Sequence, residues 1–332
     1  MDLFFVLSGF LIGGILYDAR TRSSYFSTFY SRRFYRILPL YSIVLALFLI
    51  GLALRPKFPS PGYQAIFNRT LPVWTYFPFL QNFAMAWSQT LGPTWLSITW
   101  SLAIEEQFYI LLPLAIRFLD RRAIIVLSLL AIAGAPLCRL GLALSGNPVV
   151  GPYVLLPCRA DSLAWGVLLA LACRHESAWR WLVAHRGHLY AGLFLFGCTL
   201  AYWTKYAVDA NIWGVSYLAV FYSLLLLLVV VNPGPAERFL FGRGPLVSMG
   251  TLAYGIYLFH QGIAAIFHYA LQGQPDFMTS RGLVAVVASC ITVAAFTSIS
   301  WKYFEQPLIR RAHSKYTYGS PVGTSADSLS VR

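Results

Sequence analysis

The sequence predicts an all-α fold, a polytopic transmembrane helix bundle with about nine spans. Three observations carry that prediction. Of 332 residues, 58% are hydrophobic, and mean hydropathy is +0.63. Charged residues make up only 11%, against about 25% in soluble domains, so most of the surface cannot face water. Aromatic residues reach 16%, with 10 Trp and 20 Tyr, as expected where amphipathic rings sit at a membrane interface.

The spans are read from apolar runs near the 20 residues a bilayer requires. They lie at roughly 3–17, 37–54, 95–118, 123–141, 158–173, 189–204, 212–231, 246–270 and 282–301. The first holds Gly9 and Gly13 in a GxxxG pair, beside Ser8 and Gly14, which lets a second helix approach closely. The second follows the basic stretch Arg32, Arg33, Arg36 and is entered through Pro39. The segment 74–88 is aromatic but short and broken by Pro78, so it reads as interfacial or re-entrant. The third span carries Glu105 and Glu106 in its interior, and the fifth opens on Arg159, Ala160 and Asp161. The eighth carries Tyr254, Tyr257, His260 and Gln261, and Glu305 and Pro307 follow the ninth. Residues 1–312 form one membrane domain. Residues 313–332 are rich in Ser, Thr, Gly and Tyr without an apolar period, which predicts a disordered tail.

The formal net charge is +13. In a soluble protein that would suggest nucleic acid as a partner, but these cations sit in short segments between apolar runs, where they set topology. Alternate loops hold 18 of the 25 Lys and Arg residues. The positive-inside rule places that set in the cytoplasm, with the C-terminus inside and Met1 outside. The first run has no basic leader and no small-residue cleavage site, so it is not a signal peptide. An odd count with an outside N-terminus predicts one further span upstream. The five cysteines are odd in number, lack a CxxC, and read as buried thiols.

Chemistry is expected where charge enters the apolar runs. Two adjacent carboxyl groups near mid-membrane are costly and mark function by default. Ser97, Ser101, Glu105 and Tyr109 recur at i,i+4, while Glu106 points about 100° away. An acid/base or proton-path role and a structural pairing with an arginine of another helix both fit. If helical, Arg32, Arg33 and Arg36 share one face, suited to a phosphate-bearing ligand or simply to anchoring topology. Arg159 with Asp161 reads as a structural charged pair. His260 reads as a proton relay or as a satisfied core histidine. No P-loop, GxGxxG after a strand, HExxH, GxSxG or zinc-ligand cluster occurs.

Taken together, the motifs resemble the membrane-bound acyltransferase family 3, which includes bacterial O-acetylases of polysaccharides and nodulation factors. The resembling stretches are D-x-F-F-V-L-S-G-F-L-I from Asp2, R-R-x-x-R-I-x-P from Arg32, W-S-L-x-x-E-E-Q-F-Y from Trp100, R-A-D from Arg159, Y-x-I-Y-L-x-H from Tyr254 and Y-F-E-x-P from Tyr303. They occur in family order and cover residues 2–307. The resemblance implies about ten transmembrane helices in a bacterial plasma membrane. It also implies transfer of an acyl group, usually acetyl, from cytoplasmic acyl-CoA to a hydroxyl of a cell-surface or exported carbohydrate. Acyl-CoA is a co-substrate, and no cofactor is permanently bound. By the same resemblance Arg33 and Arg36 contact the coenzyme phosphates, Asp2 sits at the outer end of the active-site channel, and Glu105 or Glu106 lines it. The family's proposed catalytic histidine lies on a helix preceding the stretch at which this chain begins, and no residue here inherits that role. The expectation is a reading frame that starts earlier. The alternatives are an inactive remnant and a multi-span transporter of a polar solute; internal symmetry between halves, which would favour transport, is not visible.

Overall fold

The computed structural model describes residues 1–147, 149–203, 210–231, 239, 245–272 and 279–320. All regular elements among them are helical. The long helices are α1 (Asp2–Ala19), α2 (Tyr25–Leu54), α5 (Trp100–Phe118), α6 (Arg121–Leu144), α8 (Leu156–Cys173), α10 (Arg186–Trp203), α11 (Val215–Val231), α12 (Pro245–Gln272) and α13 (Ser280–Ser300). Each falls on one of the nine expected spans. Short helices fill the connections: α3 (Pro61–Ile66), α4 (Gln81–Ser88), α7 (Val150–Val154) and α9 (Glu176–Ala184). A π-helical turn at Trp301–Glu305 leads into α14 (Gln306–Lys315). Among the described residues, six helical stretches are long and apolar enough to cross a membrane by themselves; α5, α10 and α12 fall outside those six.

The protein is a polytopic membrane bundle built around α1 and α8. Gly9 and Gly166 face each other so closely that a Cβ on Gly9 would lie 2.0 Å from the Leu163 carbonyl oxygen, and one on Gly166 2.2 Å from that of Val6. In lipid, helices gain little from hydrophobic burial against each other, so such close backbone contact and buried polar pairing hold them together. Ion pairs close both ends of the interface. Arg159 meets Asp2 at 2.5 Å, and Arg174 grips Asp18 with two bonds of 2.6 Å. The register, Asp2 with Arg159 and Asp18 with Arg174, makes α1 and α8 parallel. An even number of crossings must separate their starts, which agrees with the four helices α1, α2, α5 and α6 crossing and the short α4 not doing so. At 8 residues, α4 is only about 12 Å long.

Around this pair, α6 and α13 are the least buried of the apolar helices. Leu127, Leu130 and Leu137 on α6, and Leu283, Val284 and Ile291 on α13, point outward, as lipid-facing side chains do. Three of the five free cysteines, Cys138, Cys198 and Cys290, are exposed on such outer faces. The expectation of five buried thiols therefore holds only for Cys158, with Cys173 half-buried; apolar runs in a membrane protein need not point inward.

The tail also departs from expectation. Residues 313–320 are ordered against the N-terminal part of α2. Arg32 Nε donates to the Tyr316 carbonyl at 2.9 Å, and Ser24 and Thr28 hydroxyls donate to that of Thr317 at 2.8 and 3.0 Å. Gly319 N–H donates to Ser24 Oγ at 2.7 Å. The Ser24 and Thr28 hydroxyls and Arg32 satisfy an extended backbone that has no apolar pattern of its own. Residues 321–332 lie outside the described part.

Candidate active site

α5 carries the densest polar chemistry inside the bundle, and its sequence sets the order. Glu105 is 4% exposed. One turn on, the Tyr109 hydroxyl bonds Glu105 Oε2 at 3.2 Å and also meets Ser8 Oγ of α1 at 2.7 Å. The Arg33 guanidinium of α2 covers the Tyr109 ring, 4.9 Å from its centre, and lies 5.9 Å from that of Phe29. A guanidinium over aromatic faces is held by the ring quadrupole as well as by charge. Arg33 and Arg36 both lie within electrostatic reach of Glu105.

One turn the other way along α5, Ser101 Oγ meets the Tyr257 hydroxyl of α12 at 2.8 Å. Tyr254, also on α12, donates to the Ile37 carbonyl of α2 at 2.9 Å. Beside Ser101, Trp100 forms one wall of a box around Arg159, whose guanidinium lies 5.5 Å from Phe5, 5.8 Å from Trp100 and 5.8 Å from Tyr153. Arg159 is 1% exposed, and its Nε has no hydrogen-bond partner. A polar line thus follows one side of α5 from Arg159–Asp2 through Ser101 and Glu105 to Tyr109 and Arg33. Trp100 to Tyr109 is about 14 Å of helix rise.

Glu106 is turned about 100° from Glu105 around the helix, yet it shares Arg33 and Tyr254 with it. Tyr41, Tyr254 and Arg33 are within reach of its charge, and its Oε1 is buried without a hydrogen-bond partner. The separation of the two carboxyls expected from helix geometry is what the structure holds. Next to them, Gln107 and Asn82 of α4 exchange amide hydrogen bonds at 3.0 and 3.3 Å. Gln107 also donates to the Phe79 carbonyl at 2.9 Å, tying the 73–88 segment to α5.

Two sequence readings are corrected. Arg159 and Asp161 do not pair with each other. They are two residues apart on α8, on opposite sides of it; Arg159 turns to Asp2, while Asp161 meets Arg139 of α6 at 2.9 Å with both side chains fully buried. Arg139, near the end of the fourth expected span, sits inside the bundle. It also donates to the Ile212 carbonyl at 2.7 Å and to Ser216 Oγ at 2.6 Å; a lone arginine at the end of an apolar run was the available signal. His260 is exposed and, among the described residues, bonds carbonyls of its own helix, so it is not a core histidine. Glu305 is buried and accepts from Ser300 at 2.9 Å; Arg36 is within reach of its charge, and Glu305 forms no ion pair among the described residues. Ser8 went unread as a partner for Tyr109, because the contact joins residues 101 positions apart. No cluster of three or more metal-ligating side chains occurs among the described residues.

The profile of an acyltransferase domain matches residues 1–301. The chain is similar to "O-acetyltransferase OatA" of Staphylococcus aureus, 25% identical over 96% of this chain and 53% of that protein. It is 29% identical to "Putative peptidoglycan O-acetyltransferase YrhL" of Bacillus subtilis, over 93% of this chain and 50% of the relative. It is 24% identical to "Peptidoglycan O-acetyltransferase OatA" of Listeria monocytogenes, over 96% and 52%. The chain spans about half the length of these curated relatives. No solved structure matches it.

Proposed function

The chain belongs to the acyltransferase family that its motifs resembled, and from that membership we propose that it is a membrane O-acyltransferase. In this reading it moves an acetyl group from acyl-CoA to a hydroxyl of a cell-surface carbohydrate, in a bacterial plasma membrane with the C-terminus in the cytoplasm. The relatives' names, which specify O-acetyl transfer and peptidoglycan, support that acceptor class. The observation that carries the proposal is the polar line along α5. It joins a basic end at Arg33 and Arg36, suited to coenzyme phosphates, to a second end at Asp2 and Arg159.

The transfer forms a bond between the acceptor oxygen and the acetyl carbonyl carbon and breaks the carbon–sulfur bond of the thioester. The hydroxyl proton must leave the acceptor, and the departing sulfur must gain one. A carboxylate beside the line serves both steps. Glu106 has the open oxygen for this role, whereas Glu105 already accepts from Tyr109. Glu105, Tyr109 and Ser8 then fix α5 against α1 and set the local charge. Asp2 neutralises Arg159 at the far end, where the acceptor enters.

The test supplies the purified chain in nanodiscs with radiolabelled acetyl-CoA and uncrosslinked peptidoglycan strands, with chitooligosaccharides as a second acceptor. Label appearing as alkali-labile ester on either glycan supports the proposal. Ester formation on neither, with solute uptake by vesicles carrying the protein, replaces it with the transporter reading.

A further inference from the structure

A second basic site lies at the other end of α2, and the polar line does not use it. α2 is 30 residues long, about 45 Å, and Arg55 caps it some 28 Å of helix rise from Arg36. That is close to the thickness of the hydrocarbon core, about 30 Å, so Arg55 and the Arg33–Arg36 group stand at opposite membrane faces. Two cavities open there side by side. One, of about 520 Å³, is walled by Leu52, Arg55, Pro56, Pro59, Gln64 and Arg69. The other, of about 720 Å³, shares Leu52 and Arg69 and continues along Leu49, Leu71, Val73 and Trp74.

The chemistry of this cleft is divided. At one end two arginines converge, and Arg55 Nε is buried without a hydrogen-bond partner. No Asp or Glu occurs between residues 19 and 104, and neither arginine forms an ion pair among the described residues. A guanidinium N–H turned inward with no acceptor calls for one from outside the chain. At the other end the wall is apolar and runs onto the outer surface of α2, where Leu47, Leu49 and Ile50 are exposed beside Trp74. Basic head, apolar body and an interfacial tryptophan match an amphiphile lying partly in the bilayer.

We propose that this cleft binds a phosphate esterified to an apolar chain, the phosphate on Arg55 and Arg69 and the chain along Leu49, Leu52 and Trp74. Guanidinium groups select phosphate by paired hydrogen bonds and charge. An anionic phospholipid and a polyprenyl-phosphate carrier both present that chemistry.

Native mass spectrometry of the purified full chain in neutral detergent distinguishes them. The probes are dioleoyl-phosphatidylglycerol, a polyprenyl monophosphate and dioleoylglycerol, which lacks phosphate. The two phosphate lipids are expected to bind roughly tenfold more tightly than dioleoylglycerol, and Arg55→Gln with Arg69→Gln to erase the difference. Tighter binding of the polyprenyl phosphate assigns the cleft to a carrier; equal binding assigns it to bulk lipid. Phosphate-independent binding, or a double variant that binds like wild type, overturns the proposal. A photoactivatable phosphatidylglycerol tests the unmodified protein in parallel. Adducts within residues 49–74 are expected, and adducts only elsewhere overturn the proposal.

Discussion

Replacing each carboxyl of α5 by its amide separates their roles. In Glu106→Gln the shape is kept and a proton acceptor is lost. Glu106 Oε1 has no hydrogen-bond donor to forfeit, and Arg33 keeps the faces of Tyr109 and Phe29 and the charge of Glu105. Folding stability should therefore change by no more than about 1 kcal/mol. The reaction loses its acid/base group, which contributes about 10²–10⁴ in rate, or roughly 3–5 kcal/mol of barrier. Glu105→Gln instead keeps an acceptor for the Tyr109 hydroxyl. At 3.2 Å that bond is long, and the difference is about 1 kcal/mol, near fivefold in rate. Initial rates of acetyl transfer at saturating acetyl-CoA, with a thermal-shift control, read both. A fall of at least about a hundredfold for Glu106→Gln and under about tenfold for Glu105→Gln is expected. The reverse order, or two variants within about threefold of wild type, refutes the assignment.

Further outcomes follow from the same geometry. Arg33→Gln with Arg36→Gln should raise the KM for acetyl-CoA by roughly tenfold or more, with a smaller effect on the acceptor KM; an unchanged donor KM removes both from the phosphate site. Asp2→Asn strands the cation of Arg159 in its aromatic box and should destabilise the bundle by about 3 kcal/mol. Adding Arg159→Met should recover much of that loss in detergent unfolding curves; no recovery would mean that the ion pair is not the cause. Gly9→Leu must push α8 away and should abolish the monodisperse folded species on size exclusion. Gly141→Ala, which meets nothing within 4 Å, should be neutral or stabilising by up to about 1 kcal/mol. A well-behaved Gly9→Leu protein would contradict the α1–α8 packing.

The helices were legible because a bilayer demands long apolar runs, and nine such runs became helices. The interior carboxyls stood out for the same reason, since charge is rare at that depth. What the sequence did not carry was which helix faces which. Periodicity places Glu105 and Tyr109 on one side of α5, but only the fold supplies Ser8 and Arg33 as neighbours. The Arg-Ala-Asp stretch looked like a local pair because the two charges are close in sequence; on a helix they diverge and find Asp2 and Arg139. The tail was misread up to residue 320 because its order comes from hydrogen bonds offered by α2, not from any pattern of its own.

The central claim is that α5 joins a donor end and an acceptor end across the membrane. Proteoliposomes with the chain inserted in one known orientation test it most directly. Acetyl-CoA is confined to the side of Arg33 and Arg36, and uncrosslinked peptidoglycan strands to the side of Asp2 and Arg159. The account predicts acetyl ester on the strands in this arrangement and none when the two compartments are exchanged. Ester formed only when donor and acceptor share a compartment would contradict it.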